Sequence, residues 1–213
     1  QANERQIKFT ATDLALRNRG LSDITPLAEL TDLVNLNLHT NWISDISPLR
    51  NLTKLVRLRI AENPLTDIDA LSELTELRVL RMHRHGDFIG GQNPRSHMGA
   101  TGLLFTNAVT DIGPLANLKK LVDLNIHTQE ISDLTPLSEL TSLIELRLAA
   151  NSFTDLGPLR GLASLQYLEL TGNNITDIGP LSSLINLKQL DLRFNPELTN
   201  IQALLENPGI GTG

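Results

Sequence analysis

Three of the five histidines of this 213-residue chain fall within one short run, "HRHGDFIGGQNPRSH" (83–97). Imidazoles with a carboxylate between them, here His83, His85 and His97 around Asp87, are the donor types of a zinc site. The same run begins a glycine-rich stretch, with Gly86, Gly90, Gly91, Gly99 and Gly102. No Gly-x-x-x-x-Gly-Lys-[Ser/Thr] is formed there, and no strand-to-helix context surrounds it, so these glycines do not make a phosphate loop. The chain has no cysteine, which removes a thiolate metal site and a disulfide framework.

Bulk composition narrows the choice further. The formal net charge is −6 and the isoelectric point about 5.3, against a nucleic-acid or anionic-membrane surface, which needs a basic field. Residues are 40% hydrophobic but only 3% aromatic, so the core has to be aliphatic. No apolar run approaches the ~18 residues of a membrane span, and membrane insertion is not expected. The chain starts at Gln1 without a signal-like segment, which reads as a processed or excised form.

What must position any site is a repeat. The stretch "SDISPLRNLTKLVRLRIAENPL" (44–65) recurs with starts at Ser22, Ser44, Thr66, Thr110, Ser132, Thr154 and Thr176, and in degenerate form at Thr199. Counting the Ser/Thr as position 1, apolar residues fall at 3, 6, 9, 12, 15, 17 and 22, and asparagine is usual at 20. Leu58 and Ile60 alternate with Arg57, Arg59 and Ala61, the period of a short strand with one buried face. The Ser/Thr-Asp opening and the proline at position 5 predict a capped helical turn too short for an α-helix. Asn41, Asn63, Asn107, Asn151, Asn173 and Asn195 are expected to bond turning backbone that no strand ladder reaches. No unit can bury its face alone, so the units must stack as a solenoid.

The pattern L-x-x-L-x-x-L-x-L-x-x-N-x-I, joined by "SDISPL" or "TDIGPL", resembles the 22-residue leucine-rich repeats of the bacterial internalin family over about residues 14–198. The resemblance implies an α/β leucine-rich-repeat solenoid, with a parallel β-sheet on the concave face and short 3-10 or helical turns on the convex face. It also implies a non-enzymatic module that binds a protein ligand outside a bacterial cell, secreted or at the surface. The alternatives are a cytoplasmic regulatory scaffold or a unit of a self-assembling filament. Residues 1–21 are expected to be an N-terminal cap or partial repeat, 22–198 eight repeats, and 199–213 a C-terminal cap or tail. A monomer is expected, with end-to-end assembly as the alternative. Asn51-Leu-Thr53 and Asn174-Ile-Thr176 match a glycosylation sequon, which is incidental in a bacterial protein.

The histidine run can now be placed. Thr66 and Thr110 are 44 residues apart, twice the repeat, so Phe88–Val109 reads as one degenerate repeat. An irregular loop over 86–101 then precedes a strand over 103–106. The His-x-His-x-Asp run resembles that of some metallohydrolases, but Phe88 follows where such motifs often carry another histidine. In the repeat frame His83 faces outward at position 18 and His85 takes the inward asparagine position, so the two diverge. No metal or other cofactor is expected.

Each strand position should form a row across the sheet, with neighbours ~4.8 Å apart. Row 18 reads His39, Ala61, His83, Phe105, His127, Ala149, Thr171, Arg193, which sets consecutive histidines two spacings apart, ~10 Å, too far to share an ion held at ~2 Å. Basic residues Arg57, Arg59, Arg81 and Arg84 gather early, whereas Asp123, Glu145, Glu169 and Asp191 gather late, relieved by Arg147. Arginine and aromatic side chains at outward positions are the types enriched in binding hot spots. The expected protein-binding residues are therefore Trp42, Arg57, Arg59, Arg81, His83, Arg84, Phe105, His127, Arg147 and Tyr167, centred on Arg59, Arg81, His83 and Phe105. No Ser/His/Asp set and no facing carboxylate pair converges in this frame, so no catalytic residue is assigned.

Overall fold

The computed structural model describes residues 12–84 and 108–209. They form one parallel sheet of eight three-residue strands in sequence order. The strands are β1 (Asp13–Ala15), β2 (Asn35–Asn37), β3 (Arg57–Arg59), β4 (Val79–Arg81), β5 (Asp123–Asn125), β6 (Glu145–Arg147), β7 (Tyr167–Glu169) and β8 (Gln189–Asp191). On the opposite, convex side each coil carries a 3-10 turn, from Thr25–Glu29 to Gly179–Ser183. The position-2 aspartate starts the turn: Asp45 Oδ1 accepts from the Ser47 N–H at 2.8 Å, as Asp133 does from Thr135. The Ser47 backbone N–H and then its hydroxyl hold the Asp45 carboxyl below the usual carboxylate value. Pro48, the second residue of the turn Ser47–Leu49, then supplies a φ already set for the helical conformation. Leucines at positions 6, 9, 12 and 15, such as Leu49, Leu52, Leu55 and Leu58, are fully buried between the two sides.

The asparagine row is structural. Asn63 Nδ2 donates to the carbonyls of Ile60 (2.9 Å) and Leu38 (3.0 Å), while its Oδ1 accepts from Ile43 N–H (3.0 Å). Each amide thus ties its own coil to the one before. The residue ahead of it turns the corner in the left-handed region: Thr40, Glu62, Thr128, Ala150 and Phe194 have φ between 53° and 57°. Position 19 is therefore a bend, not a continuation of the strand. Gly172 takes the same conformation without the side-chain cost.

The expectation of a repeat over 88–109 is corrected. β4 pairs directly with β5, Val79 opposite Asp123 and Arg81 opposite Asn125. The ladder continues with Met82 N–H donating to Asn125 O at 3.0 Å. No strand stands between them, so the sheet holds seven full coils over 22–198, not eight. The expected loop at 86–101 and strand at 103–106 lie outside the described residues. The physical reason is legible in composition: five of the seven apolar positions of that unit are Gly90, Asn93, Ser96, Gly99 and Gly102. Such a coil has almost nothing to bury, whereas joining β4 to β5 closes Leu80 against Leu124. In the repeat frame Arg84 holds position 19 on one side of this joint, and Ala108 and the buried Val109 hold positions 21 and 22 on the other.

Gln129, where an asparagine is usual, spans this joint. Its Nε2 donates to Met82 O (2.9 Å) and its Oε1 accepts from Val109 N–H (3.0 Å). A chain in which residues 85–107 are replaced by a single asparagine restores the 22-residue count. It should fold with a melting temperature close to that of the parent. Loss of cooperative melting in that chain would show that the excursion is needed to complete the coil.

Candidate protein-binding face

The outward residues of the strands form the face that the repeat frame predicts, but their couplings differ across it. Arg57 and Arg59 are exposed on β3, and among the described residues neither is in an ion pair. Arg57 donates to Asn35 Oδ1 at 3.3 Å. With Asp13, Asn35 and Asn37 they line a cleft of about 390 Å³ on β1–β3. Arg81, by contrast, is bound to Asp123, with Nη2 2.5 Å from Oδ2. Arg147 reaches Asp123 (3.3 Å) and Glu145 (2.9 Å), and its guanidinium lies 4.7 Å from the centroid of the Tyr167 ring. Burial opposes the charge on Arg147, but these partners outweigh it and hold the group above its ordinary value.

The acidic end is coupled as well. Burial, reinforced by Asp191, raises the Glu169 carboxyl above its ordinary value. The hydrogen bonds from Arg193 hold Asp191 below its own. The free positive charge therefore sits on the first strands, and the later strands carry a largely self-neutralised network.

The direct β4–β5 pairing also corrects row 18. His83 and His127 are neighbours, not two spacings apart, and their rings stack with centroids 4.5 Å apart. His39 lies 6.1 Å from His83 across the small, buried Ala61. The three histidines thus form one cluster, flanked by Glu62 at 3.5 Å from His39 Nε2 and by the Thr128 hydroxyl at 2.8 Å from His127 Nδ1. Among the described residues no group of three His, Asp or Glu side chains is arranged to hold a metal ion. His85, His97 and Asp87, the remaining donors of the run, lie outside the described residues, as does Phe105.

Arg84 departs from expectation more sharply. It does not extend the open face: it is 3% exposed. Trp42 is 40% exposed and stands beyond the strand edge, after the asparagine of its coil. Sequence reasoning missed Asp123, which joins Arg81 to Arg147, and Glu62, which closes the histidine cluster. The role of Asp123 depends on β4 meeting β5, so the loss of apolar positions after His85 would have found it; Glu62 reaches back from position 19 to the adjacent coil of His39, a corner contact that strand alternation does not show. No described helix is long and apolar enough to cross a membrane.

The family model "Leucine Rich repeats (2 copies)" matches residues 163–206. No match is found among curated proteins. Among solved structures, internalin C2 of Listeria monocytogenes is 32% identical, with a TM-score of 0.77 over 91% of this chain and 75% of that one. A second internalin of that organism, InlF, is 34% identical with a TM-score of 0.50, covering 87% of this chain and 61% of its own. A leucine-rich-repeat protein of Leptospira interrogans is 26% identical with a TM-score of 0.69, covering 84% of this chain and 42% of its own. The identity to internalin C2 extends over three quarters of that protein, through the same stack of coils, and the chain belongs to the internalin family of leucine-rich-repeat proteins.

Proposed function

We propose that the chain is a non-enzymatic protein-binding module of a bacterial secreted or cell-surface protein, and that its ligand lies on the concave face. The observation that carries this reading is the pair Arg57 and Arg59, exposed on a rigid strand over a cleft and, among the described residues, outside any ion pair. A fixed, unneutralised pair of guanidiniums suits an acidic or mixed protein surface, and a protein ligand needs about 800 Å² on each side around such anchors. His83, His127 and Tyr167 extend the face toward β7, and Trp42 borders it. Arg81 and Arg147 contribute as members of the Asp123 network, not as free charges.

The test begins with affinity capture of a ligand on the immobilised chain, followed by titration of the recovered protein. Reversing charge at Arg57→Glu and Arg59→Glu together should weaken binding at least about tenfold, roughly 1.4 kcal/mol, with the melting temperature nearly unchanged. Arg160→Glu, in the exposed convex turns, should leave affinity intact. If the convex change abolishes binding and the concave pair does not, the assignment is wrong. Antibody labelling of intact producing cells and of their culture medium reads the location; signal confined to lysed cells would favour a cytoplasmic scaffold.

A further inference from the structure

The first three strands carry opposite charges across one cleft. Asp13 stands on β1 and Arg57 and Arg59 on β3, with Asn35 and Asn37 between them, around a volume of about 390 Å³. Row 14 is a relay. Asn35 Nδ2 donates to Asp13 Oδ1, an atom that only accepts, so the other end of the amide is turned toward β3. Its Oδ1 accepts from Arg57 Nη1 at 3.3 Å. That bond holds the guanidinium by one nitrogen and leaves the edge formed by Nε and Nη2, which matches the two oxygens of a carboxylate. Row 16 is open instead. Among the described residues nothing accepts from the Arg59 guanidinium. Asn37 gives its Oδ1 to the His39 N–H (3.1 Å), so its Nδ2 is left to a ligand. The row drops from Arg59 through Asn37 to the single methyl of Ala15, which opens the hollow.

Arg57 and Arg59 share one face of β3 at a spacing of about 6.6 Å, and alternate residues of an extended ligand segment repeat at the same distance. Resting on the concave-face reading above, we propose that the cleft seats an extended acidic segment of the protein ligand, with carboxylates two residues apart on Arg57 and Arg59. Such a pair neutralises the two charges that the fold leaves uncompensated, whereas Arg81 and Arg147 are already taken by Asp123. Asp13, on the far strand, repels a further carboxylate. The acidic pair therefore lies over β3 and not over β1.

The probe is the acetylated, amidated peptide Gly-Glu-Gly-Glu-Gly, titrated into the isotope-labelled whole chain at fixed ionic strength. Side-chain NMR signals of Arg57 Nε, Arg59 Nε and Asn37 Nδ2 are followed, assigned with Arg57→Gln, Arg59→Gln and Asn37→Ala. All three should shift together with one saturable Kd. Replacing either glutamate of the peptide by glutamine should weaken binding roughly threefold, the value of one exposed ion pair, and replacing both should abolish the response. Adjacent glutamates, which an extended chain points to opposite faces, should bind no better than one. Arg57→Gln and Arg59→Gln should each weaken binding by a similar factor, whereas Arg160→Gln on the convex side should respond as the parent does. No saturable shift overturns the proposal, and so does equal binding of adjacent and alternate pairs. Inorganic phosphate saturating the same three signals more tightly than the peptide assigns the cleft to a phosphate group, and shifts on diluting the chain alone assign it to a second copy; either result overturns the proposal. If the Arg57→Glu, Arg59→Glu pair loses the captured ligand while no peptide response is seen, the concave-face reading stands and the acidic segment is refuted. A peptide response with a captured ligand indifferent to that pair refutes the concave-face reading and upholds the preference of the cleft for paired carboxylates.

Discussion

Replacing Phe153 by alanine is expected to lower the unfolding free energy by about 3–5 kcal/mol, the range for deleting a buried phenyl ring. Among the described residues Phe153 is the one aromatic side chain of the core, and it is 1% exposed. It occupies position 22, where other coils place Ile43, Leu65, Val109, Ile131 and Ile175. The hole is difficult to close. Its coil is held to the previous one by Ser152 N–H on Ile131 O (2.9 Å) and by the asparagine amides, so the walls have little freedom to collapse inward. Phe153→Leu, which restores the size used elsewhere in the row, should cost less than about 1.5 kcal/mol. Denaturant unfolding of the two variants measures both. An alanine variant losing less than about 1 kcal/mol would contradict the rigidity assigned to this layer.

The second large effect is at Asn151. Its Nδ2 donates to Ile126 O (3.2 Å) and Leu148 O (2.9 Å), and its Oδ1 accepts from Ile131 N–H (3.2 Å). Leu148 O keeps a second donor in Asn173 Nδ2 (3.2 Å), and the Asn151 backbone N–H keeps its bond to Asn173 Oδ1 (3.0 Å). Asn151→Ala therefore strands chiefly the Ile131 N–H and the Ile126 carbonyl, both in the interior. A buried group left without a partner costs about 1–3 kcal/mol, and that is the loss expected in a reversible melt. A loss within experimental error would show that the asparagine row is incidental to stability.

Where the repeat runs uninterrupted, residue counting placed side chains correctly. Leu58 and Ile60 are buried, Arg57 and Arg59 face outward, and Asn63 bridges coils, because a 22-residue period returns each position to the same point of the stack. Counting failed at the 44-residue step. Spacing alone does not distinguish a coil kept in the stack from one expelled from it, since both preserve the downstream register. The difference lies in what the coil has to bury, and Gly90, Asn93, Ser96, Gly99 and Gly102 offer little apolar side chain at the core positions. Gln129 was the second signal, one methylene longer than asparagine at the coil that meets Met82. The error carried into the site: with a strand inserted, His83 is remote from His127 and Arg81 from Asp123, whereas the true neighbours stack and pair. Arg84 was misread for a local reason. The alternation of a strand was extended one residue past its end, into a corner where Thr40, Glu62 and Thr128 adopt positive φ.

The direct junction of β4 with β5 also bears on the order in which the molecule assembles. Every other pair of adjacent strands closes a loop of 22 residues, and this pair closes one of 44. A doubling of loop length adds only about 0.6 kcal/mol of closure entropy, far less than the burial of Leu80, Leu124 and their neighbours returns. The thermodynamic seam is therefore faint, and a kinetic one is what the longer closure predicts. Nuclei on either side, β1–β4 and β5–β8, each grow through short closures, and the longer closure falls between them. The solenoid is expected to form as two segments that meet at the histidine stack, which places its polar cluster at the last joint to close.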